Sequence, residues 1–287
     1  MITQSRTRPA LGTYVTVTAT GSDVHNAIEA AFNTIQDIEN KTSFFLPNSD
    51  IARINTLAPN TPLTIDDHTF FILTTALELS SLSNGLFDIT IASKLMDEGF
   101  LPSLYTSHPA GTWQAITLKE ENTILLNHRI CIDLGGIAKG YAVDEAINTL
   151  QQFGMLSGTV NAGGDLRCFG DETIPLEIRH PIYHSNTCYL GNLLQNNAAA
   201  TSAGYYSRKD NHMPIVNPTL QSCIHTYDSI TIIASKAMIA DALTKIVMMD
   251  SENSHNILNH FDARALLLRH DTATGDLHIF DSNSIRK

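Results

Sequence analysis

The chain is 287 residues long, 43% hydrophobic and 16% charged, with a formal net charge of −11. Such values describe an ordinary globular protein with room for one large core or two modest ones. No basic stripe offsets the acidic balance, which excludes a nucleic-acid backbone as partner. An anionic small ligand therefore needs a local cation, supplied by a lysine or a metal ion.

In chain order, residues 13–20 alternate Val15, Val17 and Ala19 with polar neighbours, the pattern of a half-buried strand. Ser22 or Asp23 then caps a helix whose apolar positions are Ile28, Ala31, Phe32, Ile35 and Ile38. A second helix starts at Asp66 or Asp67, carries Phe70, Leu73 and Leu77 on one face, and closes at Asn84-Gly85. Residues 97–129 form a looser region, with Pro102, Pro109 and Gly111 marking loop. Its end, "WQAITL" and "TILLNH", reads as a hairpin.

The stretch "IDLGGIAKGYAVD", residues 132–144, reads as a strand end, a Gly-Gly turn and a helix start. The helix continues through Val143, Ala146, Ile147 and Leu150 and ends at Gly154. Lys139 falls in its first turn. Helix starts attract anions, because their first N–H groups lack partners and the macrodipole is positive there. Gly135, Gly136 and Gly140 with Lys139 thus mark either an anion site or only a tight turn. The stretch matches neither the GxxxxGK[ST] nor the GxGxxG nucleotide pattern.

Downstream, "GTVNAGGDLRCFG" reads as strand, glycine turn and strand, and short strands are expected near residues 176–179 and 188–190. "SITIIAS" is a strand and residues 236–250 a helix. "ALLLRH" and "LHIF" make a terminal hairpin. Asp241 and Lys245 are four apart on that last helix and share a face with apolar neighbours, among them Met238 and Ala242. The pair is therefore either a surface ion pair or a half-buried functional carboxylate. Strands in hairpins and in strand–helix pairs make the class mixed α+β with largely antiparallel sheets, in one unit over 1–287.

The four cysteines show no CxxC spacing and read as reduced, structural thiols. No HExxH or GxSxG motif occurs, so neither a zinc protease-like centre nor a serine nucleophile elbow is expected. The apolar-rich residues 230–249 are broken by Lys236, Asp241 and Lys245, which argues against a transmembrane segment. The opening "MITQSRTRPALGTYV" has no apolar signal core. A cytoplasmic location is expected as written, or a periplasmic one if a leader has been removed.

The series "LGTYVTV", "NSDIARIN", "NGLFDIT", "IDLGGIAKGYAVD", "VNAGGDLRCFG", "TSAGYYSR", "IVNP" and "ASKAMIADALTK", over residues 11–250, resembles the ApbE family of FAD:protein FMN transferases. The resemblance implies a magnesium-dependent enzyme. It moves FMN from FAD to a Thr or Ser hydroxyl of an acceptor flavoprotein through a phosphoester bond, releasing AMP. By position, it implies that Leu11, Phe45, Asp88, Thr90, Asp133, Lys139 and Ile215 border FAD. It also implies that the backbone around Gly136 and the carboxylate of Asp241 hold Mg²⁺.

Two departures accompany the resemblance. Lys245 stands where a metal-ligating threonine is common, with Thr244 one residue early and turned about 100° round the helix. Its ammonium is expected to stand in for the divalent ion or to displace it. Pro214 and Asn217 stand where the family has His and Asp in "HIIDP", with His212 upstream as the substitute catalytic base. Two other functions fit such a site: a flavin-binding protein that holds FAD without transfer, and a hydrolase giving FMN and AMP.

Overall fold

A computed structural model describes residues 1–108, 110–171, 174–179, 186–193, 196–203, 213–224, 228–270 and 277–282, with side chains excepted at 179, 190, 192, 193 and 270. The chain opens with β1 (Ile2–Ala10), β2 (Thr13–Gly21), α1 (Val24–Thr42), α2 (Asp50–Asn55), β3 (Leu63–Thr64), α3 (Asp67–Leu82) and α4 (Ala92–Asp97). There follow β4 (Ile116–Lys119), β5 (Thr123–Leu126), α5 (Ala138–Gln152), β6 (Ser157–Ala162), β7 (Asp165–Phe169), β8 (Ile174–Arg179), β9 (Thr187–Leu193) and β10 (Ala198–Ala203). The last elements are β11 (Val216–Asn217), β12 (Ser222–Cys223), β13 (Ser229–Ala234), α6 (Ala237–Met249), α7 (His255–His260), β14 (Arg264–His270) and β15 (Leu277–Asp281). Described strand pairs are antiparallel throughout. The class is α+β, as the pattern of hairpins and strand–helix pairs predicts.

The chain divides into two compact units, one of residues 1–37, 139–207 and 227–287, the other of residues 38–138 and 208–226. The first is built on an eight-stranded sheet in the order β1-β2-β6-β7-β10-β13-β14-β15. Val15, Val17 and Ala19 of β2 point into its core, where they meet Ile28, Ala31, Phe32 and Ile35 of α1 and Val143, Ala146, Ile147 and Leu150 of α5. Periods of two and of 3.6 thus converge on one apolar layer. Helix α6 packs on β10 and β13. The run Ala198, Ala199 and Ala200 of β10 is wholly buried.

Strand β1 escapes sequence reading. Among the described residues it pairs with β2 alone, as an edge strand, and its side chains alternate between exposed and half-buried with no apolar face to detect. Pro9 is tolerated there because an edge strand can spare a ladder donor.

The second unit holds α2, α3, α4 and the three-stranded sheet β3-β5-β4, in which β4 and β5 form the expected hairpin. Asp66 caps α3 by accepting from the His68 N–H. The buried stripe of α3 is Thr69, Ile72, Leu73, Ala76 and Leu79, whereas Phe70 and Leu77 lie at its half-buried margin. The expected face is therefore rotated by about one position. Helix α2, capped by the Ser49 hydroxyl on the Ala52 N–H, is too short at 6 residues to show a period.

The strand end expected at Ile132 is not a strand. Asn55 replaces a neighbouring strand: its Oδ1 accepts from the Ile132 N–H at 2.7 Å and its Nδ2 donates to the Ile132 carbonyl at 3.0 Å. A side-chain amide carries the same donor and acceptor as a peptide group, so one residue satisfies this extended segment.

No helix among the described residues is long and apolar enough to cross a membrane. All four cysteines are free thiols. Burial pushes Cys131 up to about 12 and Cys223 up to about 11, so both stay as unreactive thiols near neutral pH. Thiol titration after denaturation is expected to count 4, the number in the sequence. A lower count in freshly prepared protein would reveal a disulfide and overturn the reduced assignment.

Candidate functional site

Lys139 is the second residue of α5, so its ammonium stands in that helix's first turn. The glycine that follows it serves packing. A Cβ on Gly140 would lie 2.3 Å from the Ala237 carbonyl oxygen and 2.7 Å from the Met238 Cα. Only glycine lets α5 and the start of α6 approach so closely. One helical turn on, Asp144 secures the same junction. Its Oδ1 accepts from the Ala237 N–H and its Oδ2 from the Met238 N–H, both at 3.0 Å. Lys236, at the N-cap position of α6, makes no side-chain capping bond, so Asp144 caps α6 from another helix. Arg167 on β7 donates to Asp144 Oδ1 at 3.0 Å. Burial raises the Asp144 carboxyl above its ordinary value, and the Arg167 charge pulls it back.

Four charged side chains of the first unit meet beyond this junction. The Lys139 ammonium contacts Asp165 Oδ2 and lies 3.7 Å from Asp241 Oδ2. The Lys245 ammonium contacts Asp241 Oδ1 and donates to Ser202 Oγ at 3.2 Å and Thr244 Oγ1 at 3.1 Å. Ser202 Oγ and Thr244 Oγ1 are 2.7 Å apart, and the Thr244 hydroxyl donates to the Asp241 carbonyl at 2.6 Å. The Oδ2 atoms of Asp165 and Asp241 are both buried and share the Lys139 ammonium as their ionic partner. Burial works to raise the Asp241 carboxyl, but Lys139 and Lys245 outweigh it and keep the group below its ordinary value. Burial lowers the Lys139 ammonium against the pull of Asp241, and the Lys245 charge adds to the lowering.

The layering sets the chemistry. Side chains of Asp241 and Asp165 are 0% and 3% exposed, whereas those of Lys139 and Lys245 are 26% and 21% exposed. The two carboxylates are the deeper pair, and the lysine side chains are the part of the cluster that reaches solvent. Of the residues expected at the site, Lys139, Asp241 and Lys245 are brought together here. Thr244 joins them, against the expectation that its position on the helix turns it away, because Ser202 on β10 reaches across to its hydroxyl.

The remaining candidates are placed as follows. Leu11, in the same unit, forms with Gly12 the two-residue turn between β1 and β2, at φ 55° and 70°. That conformation is unusual for leucine and suits the primed turns of hairpins. The others belong to the second unit. Phe45 is 61% exposed, its ring edge-on to Phe44. Asp88 and Thr90 are joined: Asp88 Oδ1 accepts from the Thr90 N–H and hydroxyl, each at 2.7 Å, and Asp88 Oδ2 from the Trp113 N–H. Burial raises the Asp88 carboxyl against these donors. Asp133 Oδ2 accepts from the Gly135 N–H at 3.0 Å, and Gly136 lies in the next turn, which the Ile137 N–H closes on the Leu134 carbonyl at 3.0 Å. Ile215 is buried and its carbonyl accepts from the Ile224 N–H. Asn217 Oδ1 takes the Thr219 and Leu220 N–H groups at 3.0 Å, a local turn role. His212 lies outside the described residues.

Asp165, Ser202, Asp144 and Arg167 were not singled out from the sequence. The two aspartates stand inside quoted motifs, "NAGGD" and "AVD". Ser202 and Arg167 carry no local signal.

The ApbE family model matches residues 11–267. An FAD:protein FMN transferase from Haemophilus influenzae is 28% identical over 254 residues, covering 79% of this chain and 72% of that protein. One from Vibrio cholerae is 25% identical over 238 residues, covering 76% and 71%. Among solved structures, the flavin transferase ApbE from Vibrio cholerae superposes with a TM-score of 0.83 at 20% identity, covering 99% of each chain. An ApbE protein from Thermotoga maritima gives 0.80 at 25% identity, covering 99% of this chain and 98% of that one. With the model spanning nearly the whole chain and the same fold in these structures, this chain belongs to the ApbE family.

Proposed function

We propose that residues 1–287 act as one FAD:protein FMN transferase. The observation that carries this reading is the family match over residues 11–267, together with relatives named for that activity. In the reaction, the oxygen of an acceptor flavoprotein's Thr or Ser hydroxyl bonds to the phosphorus on the FMN side of FAD. The bond from that phosphorus to the bridging oxygen breaks, and AMP departs with the electron pair. The hydroxyl proton passes to a base, for which His212 is the candidate.

The paired ammoniums support the placement of the pyrophosphate. Lys139 and Lys245 are the cations that would face the phosphates, and because Asp165 and Asp241 offset their charge the cluster would orient a pyrophosphate rather than neutralise it outright. Asp241 is held ionised, which suits an electrostatic anchor for the ammoniums better than a general base. Leu11, Phe45, Asp88, Thr90, Asp133 and Ile215 are proposed to border FAD.

The resemblance implies magnesium at Gly136 and Asp241. Mg²⁺ seeks hard oxygen ligands with negative charge to spare. Asp241 Oδ1, Ser202 Oγ and Thr244 Oγ1 already receive the Lys245 ammonium, and two lysines balance the two carboxylates. Among the described residues no three His, Cys, Asp or Glu side chains converge as metal ligands. The oxygens around Asp241 are taken up by the ammonium and do not fit a resident divalent ion.

Incubating the protein with FAD and a threonine-bearing acceptor, then weighing every product, tests the reading. Acceptor gaining the mass of bound FMN with release of AMP is expected. Free FMN would indicate hydrolysis instead, and unchanged FAD a binding protein. Separately, Lys139→Glu reverses a charge beside the pyrophosphate and is expected to weaken FAD binding at least about tenfold. Unchanged affinity in calorimetry would remove Lys139 from the phosphate site.

A further inference from the structure

Three oxygens surround the Lys245 ammonium: Asp241 Oδ1, which it contacts, Ser202 Oγ at 3.2 Å and Thr244 Oγ1 at 3.1 Å. The hydroxyl protons are accounted for. Thr244 donates to the Asp241 carbonyl, which leaves Ser202 as donor in its bond to Thr244 Oγ1. One carboxylate and two hydroxyls are the oxygen set a hard cation would take, and here an ammonium lies among them.

We infer that Lys245 is this chain's resident cation, tethered to α6 in the space where a divalent ion would otherwise bind, so that its anionic ligand is held without Mg²⁺. The identity of that ligand as FAD rests on the function proposed above; the occupancy of the pocket by the ammonium does not. Three features support the inference. Asp241 and Lys245 are four residues apart on one helix, so the ammonium reaches the carboxylate without backbone adjustment. Asp241 is fully buried and already carries an ammonium on each oxygen, Lys245 on Oδ1 and Lys139 at 3.7 Å from Oδ2, so a divalent ion there would add cation–cation repulsion. Lys139 lies on Asp165 Oδ2 and near Asp241 Oδ2, so two ammoniums balance two carboxylates and the cluster has no net negative charge. Turned onto these oxygens, Lys245 acts on a bound anion by its charge.

The test uses the full chain and MnCl2 as a spectroscopic probe for Mg²⁺. The parent is expected to show no saturable Mn²⁺ binding by paramagnetic resonance and no rise in thermal midpoint with MgCl2. Lys245→Thr, which opens the pocket and leaves Asp241 short of a partner, is expected to bind Mn²⁺ and to regain with MgCl2 the midpoint it loses in EDTA. Lys245→Gln serves the same purpose should the threonine variant fail to fold.

Saturable Mn²⁺ binding by the parent as tight as by either variant would overturn the inference. So would failure of both folded variants to take up Mn²⁺, since the pocket would then be an ion pair only. With FAD, parent affinity is expected to change less than about twofold between MgCl2 and EDTA, and a loss of about tenfold in EDTA would also overturn the inference. A parent that binds no FAD in either buffer refutes the transferase reading, and the Mn²⁺ measurements still decide the cation.

Discussion

Replacing Asp144 by alanine is expected to cost about 3–5 kcal/mol of folding stability, the range for removing one partner of a buried ion pair. Three donors lose their acceptor at once: the N–H groups of Ala237 and Met238 and the guanidinium of Arg167. Both amide groups stand at the start of α6, where no side chain of that helix can replace the cap. The consequence extends to the site, because Asp241 and Lys245 are carried one and two turns along the same helix. FAD binding is therefore expected to weaken in Asp144→Ala protein that is still folded at low temperature. Asp144→Asn keeps one acceptor oxygen and is expected to lose less. Urea denaturation followed by circular dichroism measures both variants. A loss below about 1 kcal/mol for the alanine variant would show that water substitutes for the cap.

The second large effect is expected at Gly140. On helix propensity alone, alanine in place of glycine would add up to about 1 kcal/mol of stability. The tertiary contact reverses the sign. A methyl group would meet the Ala237 carbonyl oxygen at 2.3 Å, and this neighbour is backbone, which cannot rotate aside as a flexible side chain could. Overpacking of this kind costs about 1–3 kcal/mol, so Gly140→Ala is expected to be destabilising despite its better propensity. Because relief requires α5 and α6 to part, the distance between Lys139 and Asp241 should also grow and FAD affinity fall. A Gly140→Ala protein with unchanged or raised thermal midpoint would contradict the close approach of the two helices.

Sequence and structure agree where the determining interactions are local. Alternation in β2, the 3.6-residue period of α1 and α5, and the hairpin of β4 and β5 each depend on neighbours within a few positions, and each is legible. So is the Asp241–Lys245 pair, because four residues make one helical turn. The family motifs themselves are also a property of the sequence. The face of α3 was read one position off because Phe70 and Leu77 are apolar yet marginal, while Thr69 and Ser80 are buried. Strand β1 was invisible because an edge strand with one side in water needs no apolar alternation.

What only the tertiary structure decided is the use to which the charged residues are put. Lys139, Asp165 and Asp241 are brought together by the sheet order that places β7 beside β10 and α6 over β10 and β13. No spacing in the sequence encodes that meeting. The same holds for Ser202, which supplies the third oxygen to Lys245, and for Asp144, which caps a helix more than 90 positions away. From the sequence, the three glycines of "GGIAKG" suggest one phosphate cradle. In the structure Gly135 closes a turn on Asp133 and Gly140 admits a neighbouring helix, which are separate tasks. The sequence by itself determined the residue types, the helical and strand periods and the family. Which ammonium faces which carboxylate follows from long-range packing, since charge pairs form only where the fold brings side chains within a few ångströms and removes the water between them.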